Sequence, residues 1–227
     1  MTGIGKDHHA VIFDFDGLML DTEPVYKLAW QHACSEQGYL LSDERYAPLI
    51  GVPTADAEVE LAREFGAGFS VERFAEKWPV LWREHIAEKG LERKPGLGEV
   101  LDLLAASAIP WGIATSSVRE DVSFCLEVTG LAGKAQAIVT VDEVARGKPA
   151  PDIYLEAAER LAVDPVACVA LEDSNAGARA ALSAGMTTIV VPDLVAPEAE
   201  VAASVHAVVP SLHEAESLLK RLLRGNG

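Results

Sequence analysis

The feature that most constrains this chain is a rhythm. Short apolar runs recur at residues 10–13, 110–114, 137–141, 167–171, 187–191 and 207–209, and most are followed by a turn and a helical pattern. Each run is rich in β-formers and almost continuously apolar, as a parallel strand covered on both faces must be. The intervening stretches, at 97–107, 119–129, 153–162 and 176–184, read as helices. Strand–helix alternation of this kind builds an α/β fold, a parallel sheet with right-handed crossovers.

One interval breaks the rhythm. Residues 22–94 contain no convincing strand and read instead as helices, at 25–37, 54–65 and 71–88. A helical insertion after the first strand would sit beside that strand's C-terminal end. The stretch Lys94-Pro95-Gly96-Leu97-Gly98 suits a return hinge. The expected organisation is a core of residues 1–21 and 95–227 and an inserted helical domain of residues 22–94, with hinges near Thr22 and Pro95. A chain of 227 residues, 49% hydrophobic, can bury both.

Composition excludes some partners. The formal net charge is −16, from 35 acidic and 19 basic residues. A nucleic acid polymer is therefore not an expected partner, since binding one needs a basic footprint. No stretch approaches the ~20 apolar residues of a membrane span, so no membrane association and a cytoplasmic location are expected. Cys34, Cys125 and Cys168 are widely spaced and odd in number, and they read as small hydrophobes rather than a disulfide framework. Oligomeric state has no signature here.

Polar residues collect at the ends of the apolar runs. Asp14 and Asp16 follow the first, in Val11-Ile12-Phe13-Asp14-Phe15-Asp16-Gly17. The C-terminal edge of a parallel sheet is where open α/β proteins bind ligands. Two such carboxylates could share a metal, or one could attack while the other moves protons; they also suit a pair of turn caps. Glu172 and Asp173 end a later run, in Leu171-Glu172-Asp173-Ser174. Oxygen ligands from two strand ends suit Mg²⁺, whereas Asp173 alone also reads as a helix cap. Thr115-Ser116-Ser117 could hold phosphate oxygens or cap a helix. Lys148 lies on a stiff loop, in Gly147-Lys148-Pro149-Ala150-Pro151, and taken alone is equally a surface lysine.

As a set these residues follow successive strand ends in chain order, and they resemble the four signature motifs of the haloacid dehalogenase-like superfamily. Asp14-Phe15-Asp16-Gly17 resembles its DxD motif, Thr115 its Thr/Ser motif, Gly147-Lys148-Pro149 its lysine motif and Glu172-Asp173 its acidic motif. The resemblance covers residues 10–215. Asp21-Thr22-Glu23 and Lys148-Pro149-Ala150-Pro151-Asp152 resemble the helical-cap subgroup that includes beta-phosphoglucomutase, phosphoglycolate phosphatase and pseudouridine-5'-phosphatase. The resemblance implies a Rossmann-like parallel sheet core with an inserted helical cap that closes over the strand ends. It implies a nucleophile at Asp14 that forms an aspartyl phosphate, and a general acid and base at Asp16. It implies Mg²⁺ held by Asp14, the backbone carbonyl of Asp16, and Asp173, with Glu172 nearby. Thr115 and the Ser116 N–H would bind phosphoryl oxygens, and Lys148 would neutralise charge.

Asp16 selects among the family's reactions. An ester oxygen leaves as alkoxide unless it is protonated, whereas a halide needs no proton, so an acid here favours phosphate chemistry over dehalogenation. The expected substrate is a small phosphorylated metabolite, a sugar phosphate or nucleoside monophosphate. A phosphosugar mutase is the alternative. Mutases of the subgroup carry an arginine after a Gly-Val-Ser pattern and a histidine in the first cap helix. This chain has Gly51-Val52-Pro53-Thr54 and Tyr26 at the matching places, although Arg63, Arg73, Lys77 or Arg83 could supply a cation. A non-catalytic binding regulator is a third possibility, set against the complete quartet of Asp14, Asp16, Lys148 and Asp173. Tyr26, Thr54, Trp78 and Trp82 are the candidate substrate contacts in the cap; each also reads as core or surface.

Overall fold

The computed structural model describes residues 8–50, 52 and 54–223. The apolar runs are strands: β1 (Ala10–Phe13), β2 (Trp111–Ala114), β3 (Ala137–Val139), β4 (Cys168–Glu172), β5 (Thr187–Val190) and β6 (Ala207–Val208). They form one parallel sheet in the order β3-β2-β1-β4-β5-β6. The chain starts in the middle, builds outward on one side, then returns to build on the other. In sheets of this order ligands bind where the direction reverses, outside the carboxyl ends of the two central strands. Here those strands are β1 and β4. Their register sets Phe13 opposite Leu171 and, on the other flank, Ile113. The residues that follow all three therefore emerge at one level.

Ten α-helices occur among the described residues. Four lie in the insertion: α1 (Glu23–Ser35), α2 (Asp43–Tyr46), α3 (Thr54–Phe65) and α4 (Val71–Lys89). Six follow: α5 (Leu97–Ala106), α6 (Arg119–Val128), α7 (Asp152–Arg160), α8 (Asn175–Ser183), α9 (Ala199–Ser204) and α10 (Leu212–Leu222). Ile12, Ala170, Tyr154, Ala157, Ala180 and Ala181 belong to one buried cluster between sheet and helices. The alanines of α8 let it approach the sheet closely. Among the described residues no helix is long and apolar enough to cross a membrane.

The described residues divide into two compact units. One holds the sheet and runs up to Leu20 and again from Arg93; the other is Asp21–Glu92. The breaks lie between Leu20 and Asp21 and between Glu92 and Arg93. Leu20 and Arg93 pair as an antiparallel bridge, and Lys94 N–H donates to Met19 O at 2.9 Å, so the returning chain already belongs to the sheet unit. The helical unit has its own core, in which Trp30 meets Phe74 edge-on at 5.4 Å and Tyr46 at 5.8 Å. Pro24 sits in the first turn of α1, where a missing N–H costs nothing, and Ser70 caps α4 by accepting from Arg73 N–H.

Two strand ends differ from the sequence-based expectation in ways that matter to the site. β3 stops at Val139 because Thr140 and Glu143 form a capping box around a short 3₁₀ turn. β4 runs one residue further than expected and takes in Glu172, so that carboxylate is part of the sheet itself.

Candidate active site

Asp14 follows β1 but is still bonded into the sheet, its N–H donating to Leu171 O at 2.9 Å. Its carboxylate is thereby fixed between the two central strands, and the residue is only 6% exposed. Lys148 meets it there. The ammonium donates to Asp14 Oδ1 and, at 2.5 Å, to Glu172 Oε1. With 4% of its side chain exposed, Lys148 is a buried lysine rather than a surface one. Its Nζ also lies 5.3 Å from the centre of the Tyr154 ring, within cation–π range.

Glu172 is fully buried and both of its oxygens are engaged. Oε1 accepts from Lys148 and from the Tyr154 hydroxyl at 2.7 Å. Oε2 accepts from the Asp173 and Ser174 N–H groups at 3.1 and 3.2 Å, and from the Ser174 hydroxyl at 3.1 Å. Glu172 thus orients Lys148 and shapes the turn that presents Asp173. Gly177 makes room for it, since a Cβ there would overlap the Glu172 carboxylate.

Asp173 is not the cap of the following helix. Ser174 is, with its hydroxyl accepting from Gly177 N–H at 3.1 Å. Asp14, Glu172 and Asp173 each bring a carboxylate oxygen within 4.8 Å of the others. The turn after β1 is cut to fit them. Gly17 has φ +77°, and a Cβ on it would lie 2.5 Å from Asp173 Oδ2, so both conformation and space require glycine.

Asp16 is half-buried and faces the next strand end. Its Oδ2 accepts from Ser117 Oγ at 2.6 Å and lies 3.5 Å from Thr115 Oγ1. Thr115 is buried, its hydroxyl accepting from Ser117 N–H at 3.0 Å, while Ser116 is exposed. Neither residue caps α6, whose N-cap position is Val118. Ser117 and Tyr154 were not singled out in the sequence. Ser117 stood in plain view as the third hydroxyl of its run, whereas Tyr154 is one aromatic in an ordinary amphipathic helix.

Burial pushes Asp14 up to about 8 against the pull of Lys148, with Glu172 and Asp16 adding to the rise. Burial, Asp14 and Glu172 likewise hold Asp173 well above the usual carboxylate range, and Asp193 adds a further push. Burial pulls Lys148 down, but Asp14 and Glu172 outweigh it and keep the ammonium above the ordinary lysine value. The clustered carboxylates of Asp14, Glu172 and Asp173 therefore share the single ammonium of Lys148. Hard oxygen donors with an excess of negative charge fit a hard divalent cation such as Mg²⁺.

The candidates in the helical unit are placed differently. Tyr26 is half-buried, stacked on Trp82 at 5.3 Å and tilted against Trp78 at 5.8 Å. Trp82 is buried, 2% exposed. Thr54 is exposed at the start of α3. Gly51 and Pro53 lie outside the described residues.

Comparison with known proteins places the chain in a family. The family profile of haloacid dehalogenase-like hydrolases matches residues 11–191. A phosphorylated carbohydrates phosphatase of Thermotoga maritima is 32% identical over 211 residues, 93% of this chain and 90% of that protein. A beta-phosphoglucomutase of Bacillus subtilis is 33% identical over 187 residues, 79% of this chain and 81% of that protein. A solved Thermotoga maritima structure, provisionally assigned as a beta-phosphoglucomutase, superposes with a TM-score of 0.81 at 31% identity, covering 95% of this chain and 100% of that one. A profile match across most of the chain, relatives of this identity and a shared fold lead to one conclusion: the chain belongs to the haloacid dehalogenase-like hydrolase family.

Proposed function

We propose that this chain is a magnesium-dependent phosphatase of a small phosphorylated metabolite, working through an aspartyl phosphate on Asp14. The observation that carries this reading is the pairing of the buried Asp14 carboxylate with Lys148, beside a second carboxylate, Asp16, held by the Ser117 hydroxyl. Asp14 Oδ attacks phosphorus, the ester P–O bond breaks, and the leaving oxygen takes a proton from Asp16. Water then attacks the phosphorus, Asp16 takes the water's proton, and the bond to Asp14 breaks. Thr115 and the Ser116 N–H hold phosphoryl oxygens, and Lys148 balances their charge. Asp14, Asp173 and the Asp16 carbonyl, with Glu172 nearby, would hold a divalent cation, which would offset the repulsion between nucleophile and phosphate dianion. Burial pushes Asp14 up to about 8, and the Lys148 ammonium opposes that rise and favours an anionic attacking oxygen.

The substrate is a sugar phosphate or a nucleoside monophosphate. The Thermotoga maritima relative, named for phosphorylated carbohydrates, puts sugar phosphates first. A phosphosugar mutase is the second reading, favoured by the Bacillus subtilis relative. Against it, Thr54 stands where a mutase places a guanidinium for the second phosphate, and Tyr26 is occupied with Trp78 and Trp82.

The test is phosphate release over a panel of sugar phosphates, nucleoside monophosphates and phosphoglycolate, before and after chelation. EDTA should stop release and Mg²⁺ should restore it, with Ca²⁺ a poor substitute because of its longer bonds and higher coordination number. Full activity after exhaustive chelation contradicts the metal reading. Beta-glucose 1-phosphate with a trace of the 1,6-bisphosphate separates the two activities. Rapid glucose 6-phosphate with little free phosphate would replace the phosphatase by the mutase.

A further inference from the structure

Asp193 lies just beyond β5, outside the four motifs. Its side chain is 10% exposed, and Lys94 Nζ donates to its Oδ1 at 2.6 Å. Lys94 is itself anchored through its N–H, which donates to Met19 O at 2.9 Å. The other oxygen, Oδ2, is buried and receives no hydrogen bond from any described residue. It lies near Asp173 of the acidic cluster. A Cβ built on Gly17 would meet Asp173 Oδ2 at 2.5 Å and Asp193 Oδ2 at 3.3 Å, so the two carboxylate oxygens converge on one point above that glycine.

Two acceptors facing each other in a buried site need a donor between them. Lys94 donates to Oδ1, and Oδ2 has no hydrogen-bond partner among the described residues. Mg²⁺ dehydrates reluctantly and keeps several waters when held by a few carboxylates. Such waters are strong donors, and groups that orient them raise affinity without touching the metal.

We infer that Asp193 is an outer ligand of the cation site, its Oδ2 accepting a hydrogen bond from a water of the metal bound by Asp14 and Asp173, with Lys94 holding the carboxylate in place. The inference rests on the magnesium reading above. Asp193 is a positioning residue: it touches neither substrate nor metal, and it acts on metal affinity rather than on the chemical step.

The experiment is calorimetric titration of MgCl₂ into the wild-type protein and the variants Asp193→Asn, Asp193→Ser and Asp173→Asn, each first checked by thermal melting without metal. Asn keeps the shape but turns an amide donor toward Asp173; Ser removes the acceptor without adding that donor. Both should weaken Mg²⁺ binding by about 10–100-fold, while Asp173→Asn abolishes it. Phosphate release by the Asp193 variants should recover at raised Mg²⁺, with the substrate KM little changed. If both Asp193 variants bind Mg²⁺ within about twofold of wild type while Asp173→Asn does not bind, the inference is wrong and the metal reading stands. If the wild-type protein binds no Mg²⁺, both fall.

Discussion

One absent side chain lets the site close. Gly177 opens α8 directly against Glu172, the carboxylate that orients Lys148 and the Asp173 turn. By helix propensity alone, Gly177→Ala should stabilise by about 1 kcal/mol. The overlap with Glu172 reverses that sign. The variant should lose about 1–3 kcal/mol in urea unfolding and lose phosphate release with it, because Glu172 must swing off Lys148. A variant as stable and active as wild type would show that the Glu172 contacts do not shape the site. At this scale the sequence was legible wherever a polar residue ended an apolar run, as with Asp14, Thr115 and Asp173. Contacts made across the fold were not. Ser117 reaches Asp16 from 101 residues away, and Asp193 reaches the cluster from a loop with no motif of its own.

Elements are tied together at the end of β3. Glu143 accepts from the Thr140 N–H and hydroxyl, at 3.0 and 2.9 Å, and is also bonded to Arg119 of α6 and Arg160 of α7. Burial works to raise Glu143, but the Thr140 bonds and Arg119 outweigh it and bring it from 4.5 down to about 2. A carboxylate depressed in the folded state stabilises it fully above its ordinary value and loses that contribution as pH falls through the depressed one. Glu143→Gln should therefore melt below wild type at neutral pH, with the gap closing between pH 4.5 and about 2. A gap that stays constant across that range would remove the ionic part of this tie. Short elements were the least legible. α2 spans four residues and the 3₁₀ turns three, too few to show a period. The apolar face of α10, with Leu212, Ala215 and Leu219 buried, was readable but lay after the last strand, where the alternation gave no reason to look.

At the scale of the whole molecule, a net charge of −16 must coexist with an anionic substrate. On the proposed reading this is met locally: the buried Lys148 and a divalent cation would be set against the clustered carboxylates of Asp14, Glu172 and Asp173, so that the global field matters less than the placing of a few charges. Substrate choice was the least legible property, because Tyr26 packs on both Trp78 and Trp82, and an aromatic that packs cannot be told by type from one that binds. The central claim is that Asp14 becomes phosphorylated. It is tested most directly by acid-quenching Asp16→Asn during turnover of p-nitrophenyl phosphate and locating the phosphoryl group by peptide mass spectrometry. That leaving group departs without a proton, so the first step survives the loss of Asp16, while hydrolysis, which needs a base, slows by about 10²–10⁴-fold. The account predicts that phosphate accumulates on the peptide containing Asp14 and disappears in the Asp14→Asn, Asp16→Asn double variant. Phosphate found on another residue, or an Asp14→Asn enzyme that keeps more than about a tenth of wild-type turnover, would contradict it.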